Sequence, residues 1–153
     1  MKVRLAETKD IKQILPLFIE LDTKHSKNNK DIRDIIPKER YKNIFQDVFK
    51  TETNLILTVA EIEEKIVAFV LAKILKIQNN LLLKDQTIGE ILYFAVAKDF
   101  QRNGIARILM HDIEVRLKNR GADKIELRIF SFNEEPLPEK INYKPKYTVY
   151  EKY

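Results

Sequence analysis

Residues 90–121, EILYFAVAKDFQRNGIARILMHDIEVRLKNRG, decide the fold. The stretch starts with an apolar run, Ile91-Leu92-Tyr93-Phe94-Ala95-Val96. A run of that length bounded by polar residues predicts a buried strand. Lys98 and Asp99 end it. Apolar residues then recur at Ile105, Leu109, Ile113 and Leu117, one face of a helix. Lys118 and Arg120 followed by Gly121 mark the helix end. Cations suit the negative end of the dipole, and glycine can turn left-handed. The unit is therefore a buried strand, a short turn containing Gly104, and a long helix.

That unit has a chemical use. The first helical turn leaves N–H groups without partners, and they carry partial positive charge. Gly104 lets a ligand approach the backbone, and Arg102 and Arg107 add formal charge. Such a turn suits a phosphate or pyrophosphate. Neither the Walker phosphate loop nor the G-x-G-x-x-G dinucleotide fingerprint is present.

Gln101-x-x-Gly104-x-Ala106 after an apolar strand resembles the Q/R-x-x-G-x-G/A motif of the GNAT N-acetyltransferases. The alternative is an ordinary strand–turn–helix with a helpful glycine. The resemblance implies an α/β (α+β) fold, with a mixed, mostly antiparallel central sheet flanked by helices on both faces. It implies that Gln101, Arg102, Asn103, Gly104, Ile105, Ala106 and Arg107 hold the pyrophosphate of acetyl-CoA. It also implies that the central strand splays from its neighbour, so that the Phe94, Ala95 and Val96 backbone pairs with the pantetheine amides. Asn133, after the next strand, matches an Asn that lies near the cofactor in that family. The implied reaction is acetyl transfer from acetyl-CoA to a primary amine by direct attack in a ternary complex, with no metal.

The chain of 153 residues is read as one domain spanning 1–153. It has no Cys, so disulfides, thiolate metal sites and a cysteine nucleophile are excluded. No apolar run approaches a membrane span, and the N-terminus lacks a signal-peptide apolar segment. A soluble cytoplasmic protein is expected. The net charge of +5 suits an anionic partner such as acetyl-CoA. Its 28 Lys and Arg are scattered among 23 acids, which weighs against a nucleic-acid arm.

In chain order, Lys2 to Ala6 predicts a first strand. Thr8 is the expected N-cap of a helix that carries Ile11, Ile14, Leu15 and Phe18 and bends at Pro16. Residues 22–36 read as a loop or short turn containing His25, where a ligand or base role stands beside a solvated loop histidine. Pro37 is expected at the first position of a second helix, with Tyr41, Ile44, Phe45, Val48 and Phe49 inward. By resemblance, 22–45 forms the acceptor-specificity region. Strands are expected at 54–60 and 66–77, with 61–65 as the turn between them. The apolar 81–83 segment reads either as sheet-edge packing or as a homodimer surface. Further strands are expected at 124–130 and 147–153.

Acetyl transfer needs a neutral amine, a stabilised oxyanion and a leaving thiolate. Glu90 is the candidate base, in a context similar to the base Glu of several GNAT enzymes. It is expected among apolar Ile88, Ile91 and Leu92. The alternative is a solvated or salt-bridged strand-end carboxylate. Arg128 fills the slot where other members carry an acid. Pro138 stands where the family places its thiolate-protonating Tyr. Tyr143, Tyr147 or no protein acid at all remain open in that role. His111, on the long helix, reads as a surface residue. The acceptor is a small-molecule or protein amine; the alternative function is a catalytically weakened acyl-CoA-binding module.

Overall fold

The structure, a computed structural model, describes residues 1–129 and 137–152. Five strands form one sheet in the order β1-β2-β3-β4-β5. They are β1 (Lys2–Leu5), β2 (Leu55–Ile62), β3 (Lys65–Ile77), β4 (Gln86–Val96) and β5 (Lys124–Leu127). The first four pair antiparallel and β5 joins β4 in parallel. The helices are α1 (Ile11–Asn28), α2 (Lys38–Val48), α3 (Ile105–Asn119) and the short α4 (Leu137–Lys140).

Period-two alternation along the strands gives the sheet two apolar faces. On one, Ile14 and Phe18 of α1 and Tyr41, Phe45 and Val48 of α2 pack on Leu57, Val59, Phe69 and Leu71. On the other, Ile105, Leu109, Ile113 and Leu117 of α3 pack on Ala68, Val70, Ala72 and Ile91. The stripe expected on α3 is the buried one, and Met110 joins it. The mixed, mostly antiparallel sheet with helices on both faces agrees with expectation.

Several boundaries differ. α1 continues through Pro16 and on through 22–28, so His25 lies in its last turn rather than in a loop. Asp22 makes this possible: it is buried and paired with Arg40 of α2, with Nε to Oδ2 at 2.8 Å, a partner that no local pattern shows. Thr8 does not cap α1. It opens a 3-10 turn, Thr8–Asp10, and the Asp10 carboxylate accepts from Glu7 N at 2.8 Å. Pro37 is the N-cap, one position earlier than expected.

β2 runs to Ile62 and β3 restarts at Lys65. The turn is only Glu63-Glu64, both at positive φ (49° and 63°), the geometry of a two-residue hairpin turn. Glutamates give no sequence signal for that conformation. Residues 81–83 join no strand and their leucines are exposed. β5 stops at Leu127, and 147–152 form no ladder. Strand-forming residues need a paired neighbour to become a strand, and 147–152 have none among the described residues. Within the described residues, no helix is long and apolar enough to cross a membrane.

Candidate functional site

The site grows from a change in pairing along β4. Near its start β4 is held on both sides, by β3 and by β5. The parallel ladder ends at Ile91↔Leu127. Over Phe94–Val96, β4 pairs with β3 alone among the described residues, through Val70↔Phe94, Phe69↔Ala95 and Ala68↔Val96. The described residues thus show β4 paired on its β5 side only as far as Ile91. Ala97 N donates to Val67 O at 2.8 Å. Backbone alternation then directs the amides of Phe94 and Val96 away from β3, toward the opening. All three residues remain half-buried.

A bulge precedes this stretch. The register steps from Leu71↔Tyr93 to Ala72↔Ile91, leaving Leu92 as the extra residue. Leu92 and Tyr93 therefore both face α1 and α2, while Ile91 and Phe94 face α3. A bulge bends a strand and re-aims its side chains. No sequence signal marked it.

The turn after β4 contains Gln101, Arg102, Asn103 and Gly104, all exposed. Gly104 is the N-cap of α3 at φ 77°, and a Cβ placed there would meet nothing within 4 Å. The space above this backbone is open to a ligand. Gly104 has no side chain to cap the first-turn N–H groups of Ile105, Ala106 and Arg107. Arg107 is exposed beside them, and Arg102 is left-handed at φ 63°. Gln101 turns back toward the strand: its Nε2 donates to Val96 O at 3.0 Å. The structure thus brings the seven motif residues next to the open part of β4. Donors without acceptors, open space and two arginines fit an anionic phosphate group. Asn133 lies outside the described residues.

Glu90 sits farther back on β4, buried, on the α1/α2 face. The expected setting among Ile88, Ile91 and Leu92 is incomplete, because Ile91 faces α3 and Glu90 is ion-paired instead. Lys73 Nζ lies 3.0 Å from Oε2, and Arg128 Nη2 lies 3.6 Å from Oε1. The register explains both contacts, since Lys73 is the cross-strand partner of Glu90 and Arg128 follows β5. Lys73 drew no notice in the sequence, because its pattern showed only a long strand.

The tyrosines divide. Tyr93 packs against the core, its ring tilted against that of Phe18 with centroids 4.9 Å apart and the Arg40 guanidinium 5.0 Å above it. Arg40 in turn is held by Asp22, so α1 and α2 are clamped over β4. Tyr143 donates to Glu114 Oε1 at 2.8 Å on α3, and burial followed by that hydrogen bond pushes its hydroxyl well above the usual tyrosine range. Glu114 is nearly three turns from Gly104 along α3, and Tyr143 packs on the α3 face, opposite Glu90. It is not placed to protonate a thiolate near Glu90. Tyr147 is exposed, with Lys146 Nζ 5.7 Å from its ring. Pro138 lies in the one-turn α4. His111 is exposed, and burial holds His25 below the usual histidine range. No cluster of three metal-ligating side chains occurs among the described residues.

A family model described as Acetyltransferase (GNAT) family matches residues 20–136. No curated protein matches the chain. Among solved structures, a mutant of the BH1408 protein from Bacillus halodurans is similar with a TM-score of 0.89 at 21% identity, covering 99% of this chain and 98% of that chain. AAC(6')-Iy in complex with the bisubstrate analogue CoA-S-monomethyl-acetylneamine gives a TM-score of 0.77 at 13% identity, over 99% and 97% of the two chains. The aminoglycoside 6'-N-acetyltransferase AAC(6')-IG from Acinetobacter haemolyticus gives 0.75 at 15%, over 100% and 98%. At these identities the likeness is one of fold.

Proposed function

The chain belongs to the GNAT acetyltransferase family, and from that premise we propose that it transfers the acetyl group of acetyl-CoA to a primary amine by direct attack in a ternary complex. One observation carries the reading: β4 at Phe94–Val96, paired with β3 alone among the described residues, runs directly into the left-handed turn at Gly104. An extended chain ending in a pyrophosphate fits that sequence of features, with amides along the strand and then uncapped helix donors.

The proposed roles follow from placement. Over Phe94, Ala95 and Val96 the extended arm is held through main chain, by the amides of Phe94 and Val96, while Ala95 between them stays paired to β3. Gln101, Arg102, Asn103, Gly104, Ile105, Ala106 and Arg107 hold the pyrophosphate, with Gln101 fixing the turn to Val96. Bound acetyl-CoA supplies an activated thioester carbonyl. The amine nitrogen bonds to the thioester carbon as the C–S bond breaks; Glu90 accepts the amine's released proton through water, and coenzyme A leaves as a thiolate that takes its proton from solvent. Asn133 is retained as a cofactor contact by its match to the family pattern.

A second reading is favoured by Tyr143, whose hydroxyl is committed to Glu114. On that reading the chain binds acyl-CoA with little turnover. The two are separated by measuring CoA release across a panel of amines together with the acetyl-CoA thermal shift. Turnover above the uncatalysed rate supports the enzyme. A shift without turnover supports the binding module, and no shift at saturating ligand overturns both.

A further inference from the structure

The α1/α2 face of the sheet carries an excess of positive charge beside Glu90 that the cofactor turn does not use. Lys73, Glu90 and Glu126 are register partners across β3, β4 and β5. Glu90 is flanked by Lys73 and Arg128. Glu126 is flanked by Lys124 and Lys146, whose Nζ atoms lie 3.0 and 2.7 Å from its Oε1. Four cations thus meet two carboxylates in one row.

These charges are not placed for the pyrophosphate. Val96 is six residues beyond Glu90, roughly 20 Å along a strand, and Gly104 lies beyond that. The four cations stand at the other end of β4, where the base candidate is. Arg128 is the most available of them. Its side chain is 74% exposed, and at 3.6 Å its approach to Glu90 is a charge contact rather than a hydrogen bond. A planar guanidinium fork of this kind suits bidentate pairing with a carboxylate.

Resting on the acetyltransferase reading above, we infer that the acceptor is a small amine that also carries a carboxylate, in the manner of an amino acid, and that Arg128 with Lys73 receives that carboxylate beside Glu90. The same charges assist the chemistry. Nearby cations disfavour the ammonium form of the incoming amine, and the neutral form is the nucleophile. A polycationic acceptor meets repulsion at this row instead.

The test compares each amino acid with the amine left when its carboxylate is removed: lysine against cadaverine, and ornithine against putrescine. A polycationic aminoglycoside completes the panel. The full chain is used with acetyl-CoA, and CoA release is read. The carboxylated member of each pair is expected to have a kcat/KM at least roughly tenfold higher, the worth of one charged hydrogen bond. Arg128→Glu is expected to reduce that ratio by tenfold or more, mainly through KM, with Arg128→Lys intermediate. Arg128 is exposed, so neither variant disturbs the core, and circular dichroism of the variants verifies this. Preference for the decarboxylated amines or the aminoglycoside, no turnover of any carboxylated amine, or an unchanged ratio in Arg128→Glu overturns the inference. Acetyl-CoA thermal shifts on the same samples separate the two levels. If they are present, failure belongs to the acceptor assignment alone; if they are absent, the acetyltransferase reading falls and takes this inference with it.

Discussion

Gln101 Nε2 donates a 3.0 Å hydrogen bond to the Val96 carbonyl. The bond links the motif turn to the last residue of β4, so the helix N-terminus and the open strand edge are held as one surface. Replacing Gln101 with Leu removes the link and leaves both elements in place. Acetyl-CoA affinity should fall about 2- to 10-fold, the span of one ordinary hydrogen bond. Titration calorimetry would reveal it, and unchanged affinity would show that the turn is fixed by other means.

Gly104 and Gly121 offer a paired comparison. Both have positive φ, 77° and 89°, and at neither would a Cβ meet a neighbour within 4 Å. Alanine at either position should therefore cost a similar strain, about 1–2 kcal/mol. Only the Gly104 change places a methyl group where the phosphates would sit. Gly104→Glu adds negative charge there and should abolish the acetyl-CoA thermal shift, whereas Gly121→Ala should keep it. Equal ligand shifts in the two proteins would move the phosphate site elsewhere.

Glu90→Gln keeps the shape of the side chain and removes its capacity to take a proton. If Glu90 is the base, kcat for amine acetylation should drop by roughly 10²-fold or more, while acetyl-CoA still binds. Near-full activity would assign Glu90 to the Lys73–Arg128 charge row alone. Adding a small exogenous base such as imidazole gives an independent readout, since partial rescue is expected only for a lost proton acceptor.

Acid stability should centre on Asp10. It is buried; Arg4 donates to Oδ2 at 2.6 Å and to Oδ1 at 3.0 Å, and Glu7 N adds a third bond. Hydrogen bonding from Arg4 outweighs the opposing effect of burial and holds the carboxyl below its ordinary value of 3.8. A depressed folded value means that the stabilisation is complete above the unfolded value. It is lost as pH falls from about 4 through the lower folded value. Urea midpoints from pH 6 to pH 2 should show this decline, and Asp10→Asn should flatten it. Arg4→Met should lower stability at pH 7 by about 3 kcal/mol, because it strands a buried charge.

The strand–turn–helix unit at 90–121 was legible because its signals are local. The apolar run of β4, the 3.6-residue stripe of Ile105, Leu109, Ile113 and Leu117, and the glycines at 104 and 121 each report on their own few neighbours. The family pattern, and with it the mixed sheet, followed from that unit. The end of α1 was not legible. A polar run from 22 reads as loop unless Asp22 has a buried partner, and Arg40 is supplied by another helix 18 residues away. The 81–83 leucines and the 147–152 tail illustrate the reverse: apolar or β-prone residues remain outside the sheet where no strand adjoins them among the described residues.

What the sequence by itself determined is the turn proposed to hold the cofactor: a glycine, two arginines and a helix start, all local features. Only the tertiary structure decided the other half of the candidate site. The bulge at Leu92 and the placement of Lys73 and Arg128 against Glu90 depend on strand register. Register is a relation between distant segments, and a shift of one residue would send each of those side chains to the opposite face.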